Sequence, residues 1–280
     1  MRIMSLLRLV RPPNGLLMFF AVLIGVLFSE TRTINPQQIF YAFVTSFGLT
    51  GSSMALNDYF DREVDLVNNP RRPIPSGEVS PASAVALSSI LAGAGLLTAF
   101  LSSTACFLMA AVALAVSTVY NMFLKKAGLV GNFAVSFTVV APFLYGSLLA
   151  DGYVSWRVVV FVVLAFLANT GREVIKGITD VEGDAVRGVA TIARKSGLRT
   201  ASRVGAGFYI AAVMLSPLPY LLKVVNILYL PLVAAADAGF VYSSIRIIKN
   251  PEPAEAKKQK NLTLLWMLLA LISFAAGGLA

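Results

Sequence analysis

Long apolar runs separated by short polar breaks organise the chain from end to end. The runs lie near residues 14–29, 38–66, 82–101, 104–124, 131–150, 156–182, 200–221, 225–247 and 261–279, and about 20 helical residues suffice to cross a hydrocarbon layer. The breaks carry turn chemistry: Asn35-Pro36, the Pro-rich run from Asn68 to Gly77, Lys125-Lys126-Ala127-Gly128, Asp151-Gly152 and Asn250-Pro251-Glu252-Pro253. Proline removes a backbone donor, and Gly, Asn and Asp accept turn geometry, so each break ends a helix for a local reason. The pattern predicts an all-α integral membrane protein of nine transmembrane helices, with residues 1–280 forming one membrane domain.

Composition agrees with a lipid solvent. Of 280 residues, 57% are hydrophobic and 13% charged, against about one-quarter charged in a soluble domain. The first apolar segment, Leu16 to Phe28, follows Arg2, Arg8 and Arg11, but no small-residue cleavage site comes after it, so it is expected to stay as the first span. With the N-terminus on the cytoplasmic side, 20 of the 23 basic residues fall inside and only Arg32, Arg157 and Lys223 outside, as the positive-inside rule requires. The net charge of +9 is then a matter of topology and of attraction to anionic headgroups; no nucleic-acid motif is present. Cys106, the one cysteine, lies in an apolar run and reads as packing. The chain has no histidine, which excludes His-based acid–base work, catalytic triads and the usual transition-metal sites.

Acidic residues concentrate in two places. The second span ends in Asn57-Asp58-Tyr59-Phe60-Asp61-Arg62-Glu63-Val64-Asp65, and a spacing of four puts Asn57, Asp61 and Asp65 on one helical stripe with Asp58 beside Asp61. The sixth span ends in Arg172-Glu173-Val174-Ile175-Lys176-Gly177-Ile178-Thr179-Asp180-Val181-Glu182-Gly183-Asp184, where Arg172, Lys176, Asp180 and Asp184 are again four apart. Asp61 then matches Asp180 and Asp65 matches Asp184, a weak internal repeat. Eight of the 14 acids lie in these two segments. Like charges at such spacing repel, the more so near a bilayer, unless they are paired, hydrated or neutralised by a cation. Carboxylate and amide oxygens without His or Cys suit a hard cation such as Mg²⁺, which is commonly held by one or two carboxylates plus substrate phosphates. Two such stripes would cradle a lipid diphosphate, with Arg71, Arg72, Lys125, Lys126 and Lys176 taking the remaining phosphate charge. An acidic helix cap held by salt bridges is the plain alternative. An ion or solute transporter is the non-enzymatic one, since paired intramembrane acids also mark ion pathways.

At these residues the chain resembles the UbiA-type intramembrane prenyltransferases, marked by an Asn-Asp-x-x-Asp-x-x-x-Asp motif, here 57–65, and an Asp-x-x-x-Asp motif, here 180–184. The loop Asn69-Pro70-Arg71-Arg72-Pro73-Ile74-Pro75-Ser76-Gly77 and the segment from Tyr120 to Lys125 leading to Gly131-Asn132 extend the likeness. The resemblance implies nine helices around a central cavity and Mg²⁺ bridging a prenyl diphosphate to Asn57, Asp58, Asp61, Asp65, Asp180 and Asp184. Arg11-Pro12-Pro13-Asn14, Arg172-Glu173-x-x-Lys176 and Asp180-Val181-Glu182-Gly183-Asp184 look most like the branch that acts in archaeal ether-lipid synthesis. That branch transfers a geranylgeranyl group from geranylgeranyl diphosphate to the free hydroxyl of geranylgeranylglyceryl phosphate. An aromatic quinone precursor or a chlorin is the alternative acceptor. Many relatives carry an acid where this chain has Gly177.

The expected partners are therefore a lipid diphosphate donor, a lipid phosphate acceptor and the bilayer, with no nucleic acid and no obligatory protein partner. The expected location is the cell membrane, with the site facing the cytoplasm. Asp61, Asp65, Asp180 and Asp184 are the catalytic candidates in this reading; an Asp of either motif, or the departing diphosphate, takes the hydroxyl proton. Asn14, Tyr120, Lys125 and Lys126 are further candidates for substrate contact. Helix-start, packing and membrane-anchor roles are the alternatives for each. Tyr59 and Phe60 are either aromatic walls for a developing cation or interfacial anchors. Gly93, Gly95, Gly131, Gly146 and Gly171 are expected to let helices approach closely. The segment Ala185 to Arg203 reads as a lid or a solvated loop.

Overall fold

A computed structural model describes residues 3–181 and 189–279, and the side chains of all of these but 67 and 68. Among the described residues the elements are helices: α1 (Ile3–Val10), α2 (Pro12–Leu27), α3 (Pro36–Asn68), α4 (Pro81–Ser102), α5 (Thr104–Met122), a 3₁₀ turn (Leu124–Lys126), α6 (Leu129–Asp151), α7 (Trp156–Thr179), α8 (Ile192–Ser196), α9 (Leu198–Leu215), α10 (Leu218–Leu221), α11 (Tyr229–Lys249) and α12 (Pro253–Gly278). Eight spans are long and apolar enough to cross a membrane, and the pair α1 and α2 makes a ninth if counted as one bent span. The protein is all-helical and multi-pass, as the apolar pattern predicts.

Where boundaries differ from the expected ones, local chemistry explains the shift. The expected first span is α2, and an additional helix, α1, precedes it at 45°. A residue before proline is disfavoured in the α region, and Arg11, preceding Pro12, takes φ 54 instead. The last span begins at Pro253, not near 261, because proline suits the first helical turn and Ala254, Glu255, Ala256, Lys257, Lys258 and Gln259 are mostly strong helix formers despite their polarity. The sixth span stops at Thr179, with Asp180 closing its last turn through a backbone N–H to the Lys176 carbonyl at 3.2 Å. A carboxylate there opposes the helix dipole, which favours an end to the helix. The repeat between the two acidic segments is correspondingly imperfect, since α3 continues as helix past Asp65.

The chain divides into two compact units. One comprises Met1–Met122 and Ala141–Val154. Its core gathers Val22, Ala42, Ala99, Cys106, Tyr145 and Leu149, so Cys106 is packing material. Polar residues inside its apolar helices find one another, as lipid-embedded groups must: Thr45 Oγ1 and Thr98 Oγ1 lie 2.8 Å apart, and Ser52 Oγ and Ser88 Oγ 2.9 Å. Asp151 at the end of α6 accepts the backbone N–H groups of Glu30 and Thr31 at 2.7 and 3.0 Å, tying down the loop before α3. Helices α2 and α6 approach closely, for a Cβ on Gly25 would strike the Phe143 carbonyl and one on Gly146 the Val22 carbonyl.

The other unit comprises Phe123–Val140 and Ser155–Ala280. Its core is built from Ile175, Ile178, Ala201, Tyr209, Phe240 and Ile247. Asn169 Nδ2 donates to Ser136 Oγ at 3.1 Å, and Ser136 Oγ lies 2.8 Å from Thr170 Oγ1. The short α8 packs on this core through buried Ala193 while Arg194, Lys195 and Ser196 stay exposed, so residues 192–196 are helix rather than loop; 185–188 lie outside the described residues.

Gly146→Leu is expected to lower the thermal unfolding midpoint in detergent, at a cost of roughly 1–3 kcal/mol from overpacking. Gly93, expected to serve a helix contact, has nothing within 4 Å of where a Cβ would stand. Gly93→Ala should therefore leave the midpoint unchanged or raise it slightly. Equal effects at the two glycines would contradict this assignment.

Candidate active site

In the first unit, the C-terminal turns of α3 carry Asn57, Asp58, Asp61 and Asp65 as one continuous helix. Asp58 and Asp65 are 2% and 4% exposed, a cost met only by direct pairing. Asp58 Oδ1 accepts from Arg11 Nη2 at 2.6 Å and from Arg72 Nη1 at 3.2 Å, and the same Arg72 nitrogen donates to Asp65 Oδ2 at 2.6 Å. Asp65 Oδ1 accepts from Asn69 Nδ2 at 3.2 Å. Arg11 is available because the α1–α2 break turns it out of the helix. Arg72 is available because the Pro-rich loop folds back on itself, Arg72 N–H bonding the Asn69 carbonyl at 3.0 Å and Val79 N–H the Pro73 carbonyl at 2.9 Å. Two unusual backbone segments thus serve one pair of carboxylates.

Asn57 is fixed differently. Its Nδ2 donates to Oδ1 of Asn121 at 2.9 Å, and Asn121, on α5, is buried. Committing the amide nitrogen leaves the Asn57 Oδ1 as the atom presented on the stripe, beside half-buried Asp61. Among the described residues no three carboxylates converge into a closed metal cage. An amide oxygen and an open carboxylate stripe instead match a small hard cation that brings its own waters and phosphate ligands. Asn14 Nδ2 and Arg11 Nη1 lie 3.6 and 3.5 Å from the Met54 sulfur, so both belong to the packing around this stripe. Tyr59 carries the Arg62 guanidinium 4.6 Å from its ring centroid, so a cation already occupies that aromatic face. Tyr120 is half-buried, and Phe60 and Arg71 are exposed.

In the second unit, α7 ends in a different constellation. Glu173, 7% exposed, accepts from Arg172 Nη1 at 2.9 Å and from Lys176 Nζ at 3.0 Å. Asp180 is exposed at the helix end, and Asp184 and Glu182 lie outside the described residues. A Cβ added at Gly177 would meet Thr191 at 3.4 Å, so this position lies against the chain before α8. Lys125 and Lys126 sit in the 3₁₀ turn. That turn is held by the Ala190 N–H bonding the Lys126 carbonyl at 3.2 Å. Gly128 follows with φ 61, and the Ala190 carbonyl lies 2.6 Å from where its Cβ would be.

The UbiA prenyltransferase family model matches residues 18–276. The chain belongs to the UbiA prenyltransferase family. It is 37% identical to a digeranylgeranylglyceryl phosphate synthase from Archaeoglobus fulgidus, over 96% of this chain and 93% of that protein. A solved structure described as digeranylgeranylglyceryl phosphate synthase in membranes superposes with a TM-score of 0.81 at 30% identity, covering 98% of each chain. A UbiA homolog from Archaeoglobus fulgidus, bound to GPP and Mg²⁺, shares the fold with a TM-score of 0.68 at 17% identity, over 97% of this chain and 99% of that one. This UbiA protein is a prenyltransferase, which displaces the transporter reading of its acids.

Two residues of this UbiA prenyltransferase's charged and polar networks have roles that the motif reading did not assign: Arg11, read as a topological charge and as part of the Arg11-Pro12-Pro13-Asn14 likeness, pairs with Asp58, and Asn121, read as part of a connecting segment, pairs with Asn57. Only Arg11 carried a usable signal, since an Arg directly before two prolines is forced out of a helix. Replacing Arg72 with Met leaves buried Asp58 with Arg11 and takes the cation from buried Asp65, which keeps the Asn69 amide. The expected result is a destabilisation of roughly 1–3 kcal/mol in detergent, read by thermal unfolding. An unchanged midpoint would assign Arg72 to substrate alone.

Proposed function

We propose that this UbiA prenyltransferase transfers a geranylgeranyl group from geranylgeranyl diphosphate to the free hydroxyl of geranylgeranylglyceryl phosphate, with Mg²⁺ at the first acidic motif. The observation that carries this reading is the oriented oxygen stripe of Asn57 and Asp61 on α3, flanked by carboxylates already committed to Arg11 and Arg72. High-coverage relatives named digeranylgeranylglyceryl phosphate synthase support the acceptor. The match over residues 18–276 supports treating the two units as one functional domain. The split of 20 basic residues against three supports a cytoplasmic N-terminus and a cytoplasmic site in the cell membrane.

In this reading Asn57 and Asp61 are the metal-facing side chains of the first motif, with Asp58 and Asp65 held by arginines beside them, and Asp180 and Asp184 are those of the second. Bound Mg²⁺ supplies charge neutralisation that makes the diphosphate a leaving group. The chain's own residues do the rest. Asn121 keeps the Asn57 oxygen, rather than its NH₂, turned to the site. Arg71, Lys125, Lys126 and Lys176 offer charge-assisted donors to phosphate oxygens. The C1–O bond of the donor breaks with its electron pair going to the diphosphate, and the acceptor oxygen bonds to the allylic C1. The hydroxyl proton passes to an Asp of either motif or to the departing diphosphate, since the alcohol becomes acidic only as it bonds to carbon.

Incubation of purified protein with radiolabelled geranylgeranyl diphosphate, Mg²⁺ and either the glyceryl phosphate ether or an aromatic acid tests the acceptor; labelled product with the aromatic acid alone would overturn it. Asp61→Ala is expected to abolish turnover while leaving the protein folded in detergent, and near-normal turnover would return that acid to a structural role. Asn121→Leu should weaken divalent metal binding about 10- to 100-fold, read by Mn²⁺ electron paramagnetic resonance as well as by the Mg²⁺ dependence of turnover. Metal affinity unchanged by Asn121→Leu would remove its orienting role.

A further inference from the structure

Helix α1 carries large apolar side chains on two sides, and the protein covers only one of them. Toward the protein, Leu9 and Val10 are buried, and Leu6 packs on the cluster that Leu9 forms with Ala55, Ile74, Val79 and Ala84. The contact with α3 is close, since a Cβ on Gly51 would stand 2.7 Å from Val10 Cγ1. On the other side Ile3, Met4 and Leu7 are exposed, Ile3 and Met4 at 77% and 69%. On a helical wheel these three share a stripe about 100° wide.

A polar seam divides the two sides. Ser5 and Arg8 are neighbours on the helix surface. Ser5 Oγ donates to Glu78 Oε2 at 2.5 Å, and the Arg8 guanidinium pairs with the same exposed carboxylate, just after the Pro-rich loop. At the C-terminal end of α1, Arg11 is tied to Asp58. Charges are costly in hydrocarbon, so these two ties hold α1 level with the polar end of α3 and the loop that follows it. Eight residues of helix reach about 12 Å, well short of the roughly 20 residues that cross a bilayer. The 45° bend also takes α1 off the axis of α2, the first span.

Helix α1 therefore stands where a membrane span ends, with a charged seam along one flank and a bare apolar stripe along the other. The boundary between lipid headgroups and acyl chains answers both. Helices of this kind lie in the plane of the membrane with the apolar side about 5–10 Å into that boundary.

We propose that α1 is an interfacial helix whose side bearing Ile3, Met4 and Leu7 is seated in the headgroup and acyl boundary of a phospholipid bilayer. Lipid is the partner of this stripe because α2, which follows directly, exposes Leu16 and Leu17 along a membrane span. Through Arg11, the same contact fixes the depth at which the Asp58 carboxylate stands.

Spin labels in phospholipid nanodiscs test this seat. Cys106 is buried, so the wild type treated with the label serves as the blank. Met4→Cys and Leu7→Cys, made in separate proteins, report on the stripe, and Ile90→Cys, exposed midway along α4, marks the depth of a span. At positions 4 and 7, collisions with oxygen should exceed those with a water-soluble nickel chelate, at a depth of about 5–10 Å and shallower than at position 90. Chelate-dominated collisions at both stripe positions would put α1 in water. A depth equal to that at position 90 would make α1 part of a span. Low collision rates with both reagents would mean that protein, not lipid, covers the stripe. Each of these three results would overturn the proposal.

Discussion

A carboxylate buried in or beside hydrocarbon has to be answered by a cation, a hydroxyl or a backbone N–H, and the arrangement of this protein follows from how each of its buried acids is answered. Asp58 and Asp65 draw Arg11 and Arg72 to the end of α3, and those two arginines come from the two places where proline forces the backbone out of regular helix. The break between α1 and α2 and the folded loop after α3 are thus parts of one electrostatic device. Asp237, within α11, takes a hydrogen bond from Ser216 at 2.6 Å, and Asp151 takes backbone N–H groups. The lipid-facing remainder is apolar and held by small residues and paired hydroxyls.

That division shows two acids of the first motif, Asp58 and Asp65, committed to the fold. Within Asn57 to Asp65, the motif looks like a uniform stripe of ligands on spacing alone. In three dimensions Asp58 points to two guanidinium groups, and Asp65 to one of these and to Asn69. The oxygen presented with least commitment to the protein is that of Asn57, whose orientation depends on Asn121, 64 positions away in sequence. An asparagine is well suited there, because its amide offers a donor to hold and an acceptor to present.

The sequence was most informative where one physical constraint acts locally. Apolar length sets the spans, and Pro, Gly and Asn end them, so the existence of nearly every helix was legible from the pattern. Spacing on α3 was equally legible. Helix ends governed by propensity against polarity were not: α12 runs eight residues further toward its N-terminus than hydropathy suggests, and α7 stops at Thr179 although the acidic spacing continues. Partnerships between distant segments were not legible either. Nothing local marks Asn121 as the partner of Asn57, because the pairing is created by helix packing.

The two acidic segments resemble each other in sequence yet answer their buried acids differently. At α7 both oxygens of Glu173 are taken by Arg172 and Lys176, one and three residues away on the same helix, so the pairing is set by helical spacing. At α3 the buried carboxylates of Asp58 and Asp65 reach across the chain to Arg11 and Arg72, so the pairing is set by the fold. A spacing pattern alone hides this difference, because it gives the face on which an acid stands and not the segment from which its cation comes.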